Sequence, residues 1–407
     1  MKILFIHQNF PGQFRALSNA LATKGHEVRA IAITGKEVPG VDVQNYIVQR
    51  GSSKNIHPLV TDFETKIIRG EACANALEKL KKEGYAPDLV IAHSGWGETA
   101  FLKDIFPDVK FCNYFEFYYK VGTDTHFDPE FSRDSSLSRM RLRTKNASHL
   151  LALESMDIAL CPTNWQASTA PEIYKSKIKV VFDGIDTDIV KPNLDASLTI
   201  KKQNGATFNF TKNDEIITFV NRQLEPYRGY HSFIRSLPKI LKTRPQAKVL
   251  IVGGDKVSYG AQAPDGKTWK HIFYDEIKDQ VDESRIFFLG NISYDAYLSL
   301  IQISSVHVYL TYPFVLSWSC LEALSVGLVV VGSKTPPVEE VINHKKNGIL
   351  VDFFNYAEIS NAVIHVLENP NEYENIRQAA RKTIIDKYNL KTVCLPKQIE
   401  IIESILI

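Results

Sequence analysis

The sequence predicts an α/β protein of two domains, each a parallel sheet covered by helices. Three observations lead there. Short β-branched apolar runs alternate with helical stretches, and the alternation occurs twice along the chain, as in serial βαβ units. The runs are continuous in apolar character rather than strictly alternating, which is the pattern of strands covered on both faces. At 407 residues the chain is too long for one ordinary core and fits two domains of nearly equal size.

In the first half the expected strands are Lys2–Ile6, Val28–Ile33, Leu89–Ala92, Lys110–Tyr114, Ile158–Cys161 and Lys179–Phe182. In the second half they are Ile216–Val220, Lys248–Val252, Ile286–Leu289, Val306–Leu310, Leu328–Gly332 and Gly348–Val351. The Ser/Thr/Asn-rich stretch Ala196–Asn213 reads as a linker or surface excursion, and Asn371–Ile407 is helical in pattern. Open α/β sheets bind ligands beyond the carboxyl ends of their strands. That rule puts Gly12, His93, Glu116, Arg222, Gly290 and Ser317 at functional edges.

Composition narrows the function classes. Hydrophobic content of 44% and charged content of 23% are those of a soluble globular protein. A net charge of +2 argues against nucleic acid as the main partner. The five cysteines are scattered, odd in number and lack metal-ligand spacing, so buried thiols in a reducing compartment are expected. The opening apolar run is too short for a signal peptide, and no run of about 18 apolar residues occurs. A cytoplasmic location follows as the expectation.

The most informative stretch runs from Asn221 to Phe353. Asn221-Arg222-Gln223-Leu224-Glu225-Pro226-Tyr227-Arg228-Gly229-Tyr230 sets two arginines six apart where a strand hands over to a helix. Tyr312-Pro313-Phe314-Val315-Leu316-Ser317-Trp318-Ser319-Cys320-Leu321-Glu322 puts a loop of small and aromatic residues before a helix with an early glutamate. Two guanidiniums suit the phosphates of a nucleoside diphosphate, and the backbone of Leu316, Ser317, Trp318 and Ser319 at a helix start adds donors and a dipole. Glu322 lies among Leu321, Ala323 and Leu324, so its carboxylate needs partners: ribose hydroxyls, or else an Arg or Lys on a neighbouring helix. The plain alternative for either arginine is a surface pair with Glu225.

These two segments resemble the donor-binding half of the retaining glycosyltransferases of family 4, also called glycosyl transferases group 1. The resemblance implies the GT-B fold, two Rossmann-like domains facing a central cleft. It implies a domain boundary at Asp183-Gly184-Ile185-Asp186, with residues 1–184 as the acceptor-binding domain and 185–387 as the donor-binding domain. A last helix, about 388–407, crosses back to the first. The family's Arg-x5-Lys pattern, which grips the donor diphosphate, reads here as Arg222 and Arg228. The second Glu of its Glu-x7-Glu motif, which binds ribose, maps onto Glu322. The first maps onto Phe314, a departure that bears on how the sugar hydroxyls are held.

By the same resemblance Gly290, Asn291 and Ile292 meet the nucleobase, a simple turn being the alternative. Gly12 and Gln13, in Asn9-Phe10-Pro11-Gly12-Gln13-Phe14, form the glycine loop over the diphosphate, with helix capping as the alternative. Glu116 stands at a strand end where many relatives carry a histidine, and it is a candidate to contact the donor sugar or stabilise charge at the anomeric carbon. His93 and Glu98 are acceptor candidates, and a packed, hydrogen-bonded His93 is equally open. Asp186-Thr187-Asp188 spells a D-x-D metal triplet but sits at a crossover where Asp serves local turns, so no metal and no other cofactor is expected. Arg139, Arg141, Arg143 and Lys145 form a basic run. A solvated helix face is the first reading, and peripheral contact with the inner face of the cytoplasmic membrane the second.

The reaction implied is transfer from a nucleotide sugar to a hydroxyl acceptor: a glycan, a lipid-linked saccharide or a small molecule. The alternatives are a nucleotide-sugar 2-epimerase of the same fold and a non-catalytic nucleotide-sugar-binding partner of another transferase.

Overall fold

The computed structural model describes residues 1–131, 134–201 and 205–405. The chain divides into two compact units, Met1–Gly184 with the segment from Leu390 onward, and Ile185–Asn389.

The first unit holds a seven-stranded parallel sheet in the order β3-β2-β1-β4-β5-β6-β7. Its strands are β1 Lys2–Ile6, β2 Glu27–Ala32, β3 Val41–Asn45, β4 Leu89–His93, β5 Lys110–Tyr114, β6 Ile158–Cys161 and β7 Ile178–Val180. Central β1 pairs with β2 and β4, and its Ile3, Leu4, Phe5 and Ile6 are wholly buried, as a run covered on both faces requires. Strand β3 is absent from the expectations. Its Val41-Asp42-Val43-Gln44-Asn45 alternates apolar and polar because it is an edge strand with one wet side. The segment from Leu390 begins with a wide turn and continues as the helix Leu395–Glu403. It is tied to the sheet by Gln398, which donates to the Phe182 carbonyl at 3.0 Å. Gly184 is obligatory there: its φ is +95°, and a Cβ would meet the Leu390 Cα at 2.7 Å.

The second unit holds a six-stranded parallel sheet in the order β12-β11-β10-β13-β14-β15. These strands are β10 Ile216–Gln223, β11 Lys248–Gly254, β12 Ile286–Gly290, β13 Val306–Tyr309, β14 Val329–Ser333 and β15 Ile349–Val351. The order reverses around β10, so the crevice for a ligand lies beyond the carboxyl ends of β10 and β13.

The expectation of a linker over Ala196–Asn213 is corrected. An antiparallel ribbon, β8 Ser197–Lys201 and β9 Thr207–Thr211, occupies it, with Leu198 opposite Phe210 and Ile200 opposite Phe208. Ser and Thr gave the stretch its loop-like composition, but Phe208 and Phe210 both set their rings edge-on to Phe287 of β12, at 5.0 and 5.2 Å. Residues 202–204 of that stretch, 132–133 ahead of the helix Ser136–Lys145 and 406–407 of the returning segment lie outside the described residues.

All five cysteines are buried. The basic run occupies the helix Ser136–Lys145, where Arg139 is exposed and pairs with Asp134, while Lys145 instead leans over the Tyr119 ring at 3.5 Å. Among the described residues no helix is long and apolar enough to cross a membrane.

Candidate functional site

In the second unit the apolar run of β10 ends at a register shift between Val220 and Gln223, and Arg222 stands exposed at that edge. A one-turn helix, Pro226–Arg228, follows and stops at Gly229, whose φ is +67° and whose Cβ, if present, would lie 2.3 Å from Leu310. The tight turn drives Arg228 inward until it is 7% exposed. Its Nη1 donates to Thr311 Oγ1 at 2.9 Å and to the Val315 carbonyl at 2.8 Å. The rings of Tyr259 and Phe314 lie 5.2 and 5.9 Å from the guanidinium carbon. Burial works to lower the Arg228 pKa, but Tyr309, Tyr259 and Glu225 outweigh it and hold the group above the ordinary arginine range.

Among the described residues no carboxylate forms an ion pair with Arg228. Glu225, itself buried, has both oxygens occupied elsewhere: they accept from the backbone N–H groups of Ser258, Tyr259 and Gly260 at 3.1, 3.2 and 3.1 Å. A buried guanidinium held by neutral acceptors costs several kcal/mol to desolvate, and an incoming anion would offset that cost.

The loop after β13 leads to the helix Trp318–Ser325. Ser317 caps it, its Oγ accepting from Ser319 N at 3.4 Å, while Ser317 N donates to Tyr309 Oη at 2.8 Å. Two of the four amides expected to face a ligand, those of Ser317 and Ser319, are therefore engaged within the loop. Trp318 is half-exposed, and Leu316 is buried. Glu322, 7% exposed, meets neither an Arg nor a Lys among the described residues. Its Oε1 accepts from Tyr294 and its Oε2 from Tyr297, both at 2.8 Å. Burial raises its pKa, and the two tyrosine hydroxyls pull it back. Sequence reasoning missed this pair. The signal was Tyr-x2-Tyr, spaced to share one face of the helix Tyr294–Ile303. That helix starts just past Gly290, Asn291 and Ile292, and Gly290 has φ +63° with open space where a Cβ would stand.

Asp186-Thr187-Asp188 forms a local turn. Asp188 N donates to Asp186 Oδ1 at 3.1 Å, and Thr187 Oγ1 accepts from Asn389 at 2.6 Å.

In the first unit β1 runs into His7, which sequence reasoning did not single out. His7 Nδ1 accepts from Asn9 N at 3.0 Å, so the ring proton sits on Nε2 and is donated to Gln13 Oε1 at 2.9 Å. Burial, then His93, hold its pKa down to about 4, and the ring is neutral at neutral pH. Gly12, at φ +47°, passes so close that a Cβ would fall 2.4 Å from the His7 ring. His93 ends β4 between the stacked rings of Trp96 and Tyr114, at 4.1 and 5.4 Å. Its Nδ1 accepts from Gly95 N at 3.1 Å, and its Nε2 lies 3.7 Å from Glu116 Oε2. The carboxyl ends of β1, β4 and β5 thus bring together Gly12, Gln13, His93 and Glu116, with His7 at 5.5 Å from His93.

Glu98 is placed differently. Gly97, at φ +102°, presses against the Lys66 backbone of the helix Thr61–Lys82, and Glu98 turns into the interior at 1% exposure. Apart from the weak approach of its own backbone N–H, neither of its oxygens has a hydrogen-bond partner among the described residues. Burial raises its pKa to about 7, against the pull of its own backbone N–H, His93, Arg69 and Lys66. From pH 4.5 to 7 the folded state therefore holds a proton the unfolded chain has released, and stability falls as pH rises, by on the order of 3 kcal/mol in total. His7 has the opposite sign, since stability is lost as pH falls from 6.5 to 4. Replacing Glu98 by Gln removes only the first effect. The melting temperature of Glu98→Gln relative to the parent should rise between about pH 4.5 and 7 and level off above that range, and a difference independent of pH would refute the assignment.

Comparison with known proteins gives the following. The family model described as glycosyl transferase family 4 group matches residues 24–190, and the model described as glycosyl transferases group 1 matches residues 201–383. Two uncharacterized glycosyltransferases of Methanocaldococcus jannaschii are similar. One is 28% identical over 219 residues, 53% of this chain and 51% of that protein. The other is 25% identical over 181 residues, 44% of this chain and 43% of that protein. The chain thus spans about half the length of the curated relatives it matches. Among solved structures, sucrose-phosphate synthase from Thermosynechococcus elongatus has a TM-score of 0.72 at 16% identity, covering 100% of this chain and 99% of that one. Anabaena HepE in complex with UDP and glucose has a TM-score of 0.66 at 17% identity, covering 99% of each. A glycosyltransferase from Rickettsia africae has a TM-score of 0.67 at 17% identity, covering 100% and 98%. At these identities the likeness shows the fold alone, two Rossmann-like parallel-sheet domains of the GT-B type.

Proposed function

The chain belongs to the group 1 glycosyltransferase family, and from that premise we propose that it moves a sugar from a nucleoside-diphosphate donor to a hydroxyl acceptor, retaining the anomeric configuration and using no metal. The observation that carries this reading is Arg228, a buried cation whose hydrogen-bond partners, Thr311, the Val315 carbonyl and Tyr259, are all neutral, so that an incoming anion would be its ion-pair partner. Arg222 supplies a second, exposed cation at the end of the same strand. As the bond between the anomeric carbon and the phosphate oxygen breaks, negative charge gathers on the diphosphate. These guanidiniums stabilise it in the role that a metal plays elsewhere. Glu322, held in place by Tyr294 and Tyr297, takes the ribose hydroxyls, and the turn at Gly290, Asn291 and Ile292 meets the base.

The second unit is the donor side in this reading. In the first unit Gly12, Gln13, His93 and Glu116 serve the acceptor and the reacting end of the donor, the acceptor being a saccharide, free or lipid-linked, or a small alcohol. The acceptor hydroxyl loses its proton to the departing phosphate oxygen as its own oxygen bonds to the anomeric carbon from the same face. A second reading, a binder that holds nucleotide sugar without turning it over, is favoured by Phe314, which puts a ring where a carboxylate would contact sugar hydroxyls. Product formation separates the two.

The test is thermal stabilisation of the full chain by UDP, GDP, ADP, CDP and dTDP, each with and without EDTA. A ligand at 100 times its Kd adds about 2.7 kcal/mol. A selective shift that survives EDTA is the expected result, and no shift with any of the five would overturn the donor site. Arg222 is exposed, so Arg222→Ala should melt like the parent yet lose most of that shift.

A further inference from the structure

Beyond the two arginines, the same edge carries a device whose parts come from a different segment. The loop that follows β11 is fastened to the Arg222–Arg228 turn at successive points. Lys256 N donates to Gln223 Oε1 at 2.9 Å. Three consecutive N–H groups, those of Ser258, Tyr259 and Gly260, converge on the Glu225 carboxylate. On the far side Trp269 Nε1 fastens the Ala261 carbonyl at 2.9 Å. Successive amides closing on one anion form a nest, and here the anion is a side chain of the turn itself.

The consequence is the position of Tyr259. Its ring is fixed 4.9 Å from Phe314 and 5.2 Å from the Arg228 guanidinium, and it remains only partly buried. Glu225 is 1% exposed and close enough in sequence to neutralise Arg228, yet its oxygens are committed to the loop. The arrangement therefore does two things at once: it keeps the Glu225 carboxylate from forming a direct ion pair with the buried cation, and it sets a phenol beside that cation.

We propose that Tyr259 is a further diphosphate contact, its hydroxyl donating to the same phosphate group that Arg228 binds, and that Glu225 is the positioning residue that holds it there. The proposal rests on the donor-site reading above. It assigns to Tyr259 a share in stabilising the leaving group, and to Glu225 no direct contact with substrate.

The experiment is isothermal titration of the full chain with inorganic pyrophosphate, which reads the anion site without base or ribose, and with the nucleoside diphosphate picked out by thermal stabilisation. Tyr259→Phe should weaken both by about tenfold or more, the worth of a hydrogen bond to a charged group, with the melting temperature of the unliganded protein unchanged. Glu225→Gln should lose a similar factor. Adding Tyr259→Phe to it should cost less than twofold more, because Glu225 acts through Tyr259. Should Glu225→Gln fail to fold, Tyr259→Phe decides the matter by itself. If the parent binds and Tyr259→Phe binds equally well, the Tyr259 role is overturned while the donor site stands. If the parent binds neither probe, the donor-site reading and this proposal fall together.

Discussion

Arg228→Met should abolish stabilisation by nucleoside diphosphates and lower transfer by about 10²- to 10³-fold, the cost of one preorganised donor to a developing charge, while the unliganded protein melts within a few degrees of the parent. The two halves of that expectation have separate origins. Loss of binding follows from removing the only buried guanidinium that the described turn Pro226–Arg228 offers to an anion. The small stability change follows from opposing terms. Thr311 Oγ1 and the Val315 carbonyl lose their donor, at about 1–3 kcal/mol each if left unsatisfied. Against that, the desolvation cost of a cation with no ion-pair partner disappears, which is also several kcal/mol. Methionine keeps most of the volume between Tyr259 and Phe314. A variant that melts far below the parent would make Arg228 a pillar of the loop after β13 rather than an anion ligand. A variant that still binds nucleotide would remove it from the site altogether. Arg228→Lys, which keeps the charge but lacks the fork, should retain part of the affinity.

Glu322→Ala should weaken nucleotide binding by roughly tenfold or more and, unlike Arg228→Met, destabilise the fold by on the order of 2 kcal/mol. Tyr297 is buried and donates its hydroxyl to Glu322 Oε2, so truncation leaves that hydroxyl without its acceptor. Tyr294, half-exposed, can turn to water and loses little. Glu322→Gln can still accept from one tyrosine and donate to the other. It should therefore restore the melting temperature while restoring affinity only in part, since a charged acceptor is worth more to ribose hydroxyls than a neutral one. Paired melting and titration of the two variants checks this. If Glu322→Ala lost stability but kept full affinity, the carboxylate would serve the tyrosines alone.

By itself the sequence determined the two parallel sheets and the positions of their central strands. Runs such as Ile216–Val220 and Val306–Tyr309 are apolar at nearly every position because both faces of the strand are covered, and that demand is written locally. It also determined which residues stand at carboxyl strand ends, including Gly12, His93, Glu116 and Arg222, because a strand end is marked by the residues that stop it. The strands it did not reveal, β3 and the ribbon β8–β9, alternate in character, and Asp42, Gln44 or the flanking threonines make such segments look like loops.

What surrounds each site residue was decided by the tertiary structure. Arg228 is buried because Gly229 turns the chain and because Thr311 and Val315, 83 and 87 residues away, accept its protons. Glu225, legible only as a possible surface partner for arginine, is instead closed by amides 33 to 35 residues along. Glu322 is held by tyrosines 28 and 25 residues before it, and His7 acquires its neutral state from burial and from the approach of His93. Local patterns fix which face of an element is apolar and where it ends. Which side chains meet across two strand ends depends on sheet order and register, and those are properties of the packed chain rather than of any one segment.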